Sequence, residues 1–291
     1  MPQKTVATGL ARWRTLQGIG KKPNTLLYHE ELEGIIRAKW VNLETPVDEV
    51  TDEECVVFAT SIAHYAVSRY NGVVNAIRKI IPAAKCIPRR KQLSPEKHIP
   101  TKDEFTRLLV ALDTASRGHA ALVVRFLAHT GIRINEARQL KWTHIREDHV
   151  FLPADITKNS HPRTIPFVEG TAEVIRALRR VRLQTKKRKE FVLPQVECKR
   201  ALGYACKLAS VAHCSHHTFR HYFTTQCIQS GVDIPTVAAW LGHLDNGALL
   251  LRWYCHLMND HSLEMAKKVK VGGLPVEMLK AKNVVILERV A

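Results

Sequence analysis

No stretch of this 291-residue chain is long and apolar enough to span a bilayer; the best candidate, Ala120 to Ala128, is short and interrupted by Arg125. The N-terminus carries charges but no apolar secretion segment. The seven cysteines are scattered, odd in number and without a CxxC pair, a pattern that suits a reducing cytoplasm and no structural zinc. Internal repeats and low-complexity segments are also missing. Acidic residues are scarce: 27 Asp and Glu face 44 Lys and Arg, a net charge of +17. So large an excess calls for an acidic partner. Nucleic acid comes first, because phosphates and released counterions favour clustered Lys and Arg, and an acidic membrane surface second. A hydrophobic content of 45% is enough for packed cores and too high for a disordered chain, and the length favours two domains.

The N-terminal region, 1–83, reads as a small helical domain. Asn24 is placed to cap a helix carrying Leu32, Ile36 and Trp40. Thr51 with Glu54 resembles a capping box, and Ser68 opens a further helix that Pro82 stops. Residues 84–100 hold Pro88, Pro95 and Pro100 among Arg89, Arg90 and Lys91, which predicts an extended basic linker, either solvated or touching DNA. The pattern then becomes mixed over 101–291. Thr101 caps a helix with Phe105 and Leu108, Ala120–Ala128 is a buried helix, and another runs from near Arg133 through Leu140. Val150–Pro153 and Arg163–Phe167 read as short strands around a turn at 158–162. A strongly basic helix follows, from Arg176 through Lys189. The fold class is therefore mainly α with a small antiparallel β-sheet in the second domain.

Four local signals carry chemistry. In TGIRINEA (130–137) a glycine break sets Arg133 at a helix start, where N–H groups favour an anion, and Glu136 can hold its guanidinium; a surface Arg–Glu pair would look the same. In HTFRHYFTT (217–225), behind the N-cap Ser215, His217 and Arg220 share one helix face. His217 and His221 stand at chelating distance, but Thr218 occupies the place where a metalloprotease helix has glutamate. In LGH (241–243), Asp233 caps a short helix, Gly242 ends it, and His243 follows, a place where a lone histidine is usually structural. In RWYCHL (252–257), Tyr254 by itself reads as an ordinary amphipathic tyrosine.

Taken in order, with Lys158 on the turn TKNSHPRTIP (157–166), the set Arg, Lys, HxxR, GH, Tyr resembles the catalytic domain of tyrosine recombinases, the phage integrase and Xer-like family, over about residues 100–262. The resemblance implies a two-domain architecture: a helical, SAM-like core-binding domain at 1–83, a basic linker at 84–100 in which Arg89, Arg90 and Lys91 meet DNA, and a catalytic domain with a C-terminal tail at 101–291. It implies a C-shaped clamp on double-stranded DNA and a homo-oligomer, a tetramer in the synaptic complex, working in the cytoplasm without membrane, metal or cofactor. No separate arm-binding domain is expected ahead of residue 20. Arg133 and Arg220 match the phosphate-clamping arginines, Lys158 the hairpin lysine, His217 and His243 the two active-site imidazoles, Tyr254 the nucleophile, and Glu136 the acidic support of the first arginine. The spacing from His243 to Tyr254 is slightly longer than is usual in the family, and Tyr222 is the nearby competitor for the nucleophile's role.

This implies a site-specific recombinase that cleaves DNA through a 3′-phosphotyrosine and rejoins it to a partner strand. Integration of a mobile element is favoured over Xer-like resolution of chromosome dimers. A type IB topoisomerase shares nearly the same residue set, and a DNA-binding protein that kept only the fold is the alternative from another class. The apolar tail Val284–Leu287 reads as a terminal strand that docks on its own chain or on a neighbouring subunit.

Overall fold

The computed structural model describes residues 4–92, 98–115, 119–184, 188–245, 247–248, 250–252, 266–267 and 269. The chain divides into two compact units, residues 1–96 and 97–291.

The first unit is helical: α1 (Val6–Gly18), α2 (Pro23–Lys39), α3 (Asp52–Ser61) and α4 (Val67–Ile77), then a 3-10 turn at Ala83–Cys86. Reciprocal capping boxes start two of the helices, Thr5 with Thr8 and Thr51 with Glu54. The expected Asn24 cap is not made. Pro23 is already the first helical residue, its fixed φ suits that place, and Lys22 stands at the N-cap. Similarly, α4 opens at Val67, one residue before Ser68, without a side-chain cap. Val6, Leu10, Ile36, Phe58 and Ile77 are fully buried together, with Trp40 tilted against Phe58 at 4.9 Å between ring centroids.

The reading of 84–100 as an extended linker is corrected over its first part. Ala84 and Ile87 are buried in the first unit's core. Asn71 donates to the Arg90 carbonyl (2.8 Å) and accepts from the Arg90 N–H (2.9 Å), while the Arg90 guanidinium lies over the Tyr70 ring at 4.0 Å. Two apolar side chains and one asparagine suffice to dock a segment whose prolines and charges argued for solvent.

The second unit holds α5 (Lys102–Ala115), α6 (His119–Thr130), α7 (Ile134–Ala137), β1 (His149–Leu152), β2 (Arg163–Pro166), α8 (Thr171–Gln184), α9 (Lys199–Leu208), α10 (His216–Gln229) and α11 (Ile234–Leu241). Thr101 caps α5 as expected, and Glu104 completes a capping box with it. β1 and β2 pair antiparallel, His149 opposite Pro166 through Leu152 opposite Arg163. The helix expected from Arg133 through Leu140 is a single turn. The Leu140 carbonyl accepts from the Val192 N–H (2.9 Å) and the Trp142 N–H donates to the Glu190 carbonyl (3.0 Å), so the chain leaves the helix to pair with a distant segment. The basic helix, α8, is described over Thr171–Gln184, and Arg188 and Lys189, expected within it, are not helical; Arg188 has a positive φ of 53°. The core lies between α5, α6 and α10, with Phe105, Phe126, Phe219 and Phe223 at its centre.

Candidate active site

The site is organised around the C-terminal end of α11. Asp233 accepts from the Thr236 N–H (2.9 Å) to start this helix, and Gly242 ends it in the left-handed region at φ 67°. The last carbonyls of a helix have no partner inside it and carry the negative end of its dipole. Here cationic side chains from other elements fill them. Arg163 Nε donates to the Trp240 carbonyl (2.9 Å), and the Leu241 carbonyl receives both Arg220 Nη2 (2.8 Å) and Arg133 Nη1 (3.2 Å). Asn159 Nδ2 reaches the Gly242 carbonyl at 3.3 Å.

Arg220 comes from α10, which Ser215 caps as expected. It is buried, and its Nη1 donates to the Gly131 carbonyl at 2.8 Å. Gly131 has a φ of 59°, and a Cβ there would stand 2.5 Å from Phe223 Cδ1. Only glycine lets α6 end so close to α10 with that carbonyl facing the guanidinium. On the same helix Tyr222 stacks on Phe105 (4.5 Å) and burial pushes its phenol up, so Tyr222 is a packing residue. His217 is exposed and meets His221 edge-on, ring centroids 4.7 Å apart. Among the described residues no group of three or more His, Cys, Asp or Glu is arranged to hold a metal ion.

Arg133 is the N-cap of α7, and its N–H is taken by the Glu136 carboxylate (3.0 Å). The helix-start anion site expected there is therefore corrected: a carboxylate of the chain itself occupies that N–H. Glu136 does contact the Arg133 guanidinium, at 3.3 Å, but its shorter bonds go to Arg163, whose Nη2 and Nη1 donate to the two carboxylate oxygens at 2.6 and 3.1 Å. The planar fork of Arg163 meets the carboxylate face to face, as bidentate pairs do. Burial works to raise the Glu136 pKa; the bonds and charge of Arg163, then those of Arg133, outweigh it and hold the group below the ordinary glutamate range. Lowering dominates at His243: burial first, then the charges of Arg220 and Arg133, against Asp245, hold its imidazole below the usual histidine value.

A cavity of about 190 Å³ opens beside these groups, lined by Arg133, Asn159, His161, Arg163 and His243 among others. Lys158 is exposed on the ten-residue connection between β1 and β2, next to the lining residues Thr157 and Asn159. The structure thus brings Arg133, Arg220, Glu136 and His243 together, with Lys158 on the adjoining loop. Leu250–Arg252 are helical, and Tyr254 lies outside the described residues, as does the expected tail strand. Arg89 and Lys91 are exposed and Arg90 half-buried, all in the first unit. Sequence reasoning missed the part played by Arg163. Its available signal was an arginine opening a strand whose next alternate residue, Ile165, is apolar.

Residues 100–261, more than half of the sequence, match the family model described as the phage integrase family. The chain belongs to the phage integrase family. Family members similar to it include the tyrosine recombinase XerD of Neisseria meningitidis serogroup A, 29% identical over 183 residues, covering 56% of this chain and 61% of that one. The integrase of Escherichia phage P2 is 30% identical over 157 residues, 53% of this chain and 42% of the relative. The chain spans about three-fifths of the length of the curated relatives that it matches first, 60–61%. The crystal structure of a lambda integrase dimer bound to a core site has the same fold, at a TM-score of 0.67 and 16% identity over 83% of this chain and 96% of that one.

Proposed function

We propose that this member of the family is a site-specific DNA recombinase that cleaves and rejoins DNA through a 3′-phosphotyrosine. The observation that carries the reading is the convergence of Arg133 and Arg220 on the Leu241 carbonyl, beside His243 and an open cavity. Two guanidiniums fixed on one backbone atom need no reorganisation to meet charge growing on the non-bridging oxygens of a phosphodiester. Tyr254 is the nucleophile. An unperturbed phenol, with a pKa of about 10, needs an acceptor for its proton, and His217 supplies it. His243, held neutral, steadies a phosphate oxygen. The tyrosine oxygen bonds to phosphorus as the bond to the 5′-oxygen breaks, and Lys158 protonates that leaving oxygen. Attack by the 5′-hydroxyl of a partner strand reverses these steps. The phosphoester energy stays in the tyrosine link, so the chemistry uses neither nucleotide hydrolysis nor a metal.

In this reading residues 1–83 are the core-binding domain, Arg89, Arg90 and Lys91 contact the DNA backbone, and 101–291 is catalytic. One solved lambda integrase structure is a dimer bound to a core site, and another is a tetramer bound to a Holliday junction; for this chain the reading is a homo-oligomer on double-stranded DNA, a tetramer at synapsis. The integrase of a phage among its relatives supports mobile-element integration. Incubation with candidate attachment-site DNA in excess EDTA, read on a denaturing gel, tests the chemistry. The parent forms a covalent adduct and Tyr254→Phe binds DNA but forms none. Cleavage by Tyr254→Phe, or loss of cleavage in Tyr222→Phe alone, overturns the assignment.

A further inference from the structure

Glu136 receives two arginines unequally. Its side chain is 2% exposed, and Arg163, itself 7% exposed, holds both oxygens at 2.6 and 3.1 Å. Arg133, 23% exposed, touches the same carboxylate at 3.3 Å while facing the cavity. Gly242 makes room for this arrangement: a Cβ there would meet Arg163 Cδ at 2.9 Å and Nη1 at 3.1 Å. We propose that Arg163 is a positioning residue that satisfies Glu136 and thereby leaves the guanidinium of Arg133 available to a phosphate in the cavity. The inference rests on the recombinase reading for what the phosphate is, but the competition for Glu136 exists without it.

The physical reason is the cost of a buried carboxylate that loses its partner. Removing one member of a buried ion pair leaves a charge that must find another, whereas replacing both members with neutral groups of similar shape is tolerated. Without Arg163 the nearest cation for Glu136 is Arg133, three residues past the end of α6, and the carboxylate draws it away from the cavity. Arg163 borders the cavity as well, but its bonds go to Glu136 and the Trp240 carbonyl.

The test compares the parent, Arg163→Gln and the double variant Arg163→Gln with Glu136→Gln. Two readouts are taken: covalent adduct on attachment-site DNA, and labelling of Arg133 by an arginine-directed dicarbonyl reagent, followed by peptide mass spectrometry. Arg163→Gln is expected to lower adduct formation on the order of tenfold, the loss for one charge-assisted hydrogen bond, and to slow labelling of Arg133. Adding Glu136→Gln is expected to restore both, because the unpaired carboxylate is gone. Arg163→Lys, which keeps the charge but not the fork, is expected to fall between and serves if Arg163→Gln does not fold. Labelling of Arg133 at the parental rate in the single variants, or a double variant worse than the single, overturns the proposal. If the parent forms no adduct on any DNA, the recombinase reading falls, and the labelling still decides the role of Arg163.

Discussion

In the first unit Arg14 of α1 and Arg37 of α2 lie at the surface. Arg14 bridges Glu30 and Glu33 with its side chain 48% exposed, and Arg37 reaches Glu33 from one turn away at 41% exposure. In the second unit Arg220 and Arg163 are buried, and their guanidiniums end on backbone carbonyls of α6 and α11. Exposed pairs are screened and leave each side chain many alternatives. A buried guanidinium has no water to fall back on, so its bonds admit one arrangement only. The same residue type thus makes screened pairs on α1 and α2 and fixes the geometry around the end of α11.

That contrast can be broken most severely at Arg220. Arg220→Ala strands the Gly131 carbonyl, leaves the Leu241 carbonyl to Arg133 alone and removes a proposed phosphate contact. Adduct formation is expected to drop on the order of 10²–10³-fold, as for loss of one preorganised transition-state donor. A defect under tenfold in single-turnover cleavage would mean that Arg133 suffices. The next largest effect separates the units. Phe58 is fully buried in the first core, which shares no member with the second, so Phe58→Ala is expected to cost about 3–5 kcal/mol. In scanning calorimetry it should move the first unit's transition and leave the second's in place; parallel shifts would show that the units unfold together.

A smaller difference concerns acid. His144, His216 and His243 in the second unit sit below the ordinary histidine value, burial being the leading cause in each, while the first unit has His29 alone of this kind among the described residues. A histidine whose folded pKa is lowered binds its proton more readily in the unfolded chain. Its stabilisation is complete above the unfolded value, about 6.5, and is lost as pH falls from there through the folded value. The second unit's urea midpoint is therefore expected to decline between about pH 7 and about pH 5 more steeply than the first's. His216→Gln should flatten that decline, and an unchanged slope would remove His216 from the account. At the small end, Arg14→Ala is expected to leave the first unit's urea midpoint where it is.

What was legible in the sequence was local. The capping pair Thr51–Glu54, the caps at Thr101 and Ser215, the short helix between Asp233 and Gly242, and the shared face of His217 and Arg220 all depend on residues three or four apart or on a single turn. Backbone geometry fixes such relations wherever the helix lies. The family resemblance also rested on the order of these local elements, and the match over residues 100–261 agrees with it. The errors came where a distant segment offered a better bond. Leu140 left its helix for Val192 and Arg90 left the expected linker for Asn71 and Tyr70, while Glu136 kept its expected contact with Arg133 and took Arg163 besides.

The sequence by itself determined the positive charge, the mainly helical class and the order of local motifs that resembles the family. Only the tertiary structure decided which of them meet, because the deciding bonds join residues 27, 77, 89 and 108 positions apart. Those bonds go to carbonyls that helices α6 and α11 leave unpaired at their ends and to one buried carboxylate. No local pattern announces which cation will reach an orphan carbonyl; that choice is made when α6, α10, α11 and β2 pack and water is excluded from between them.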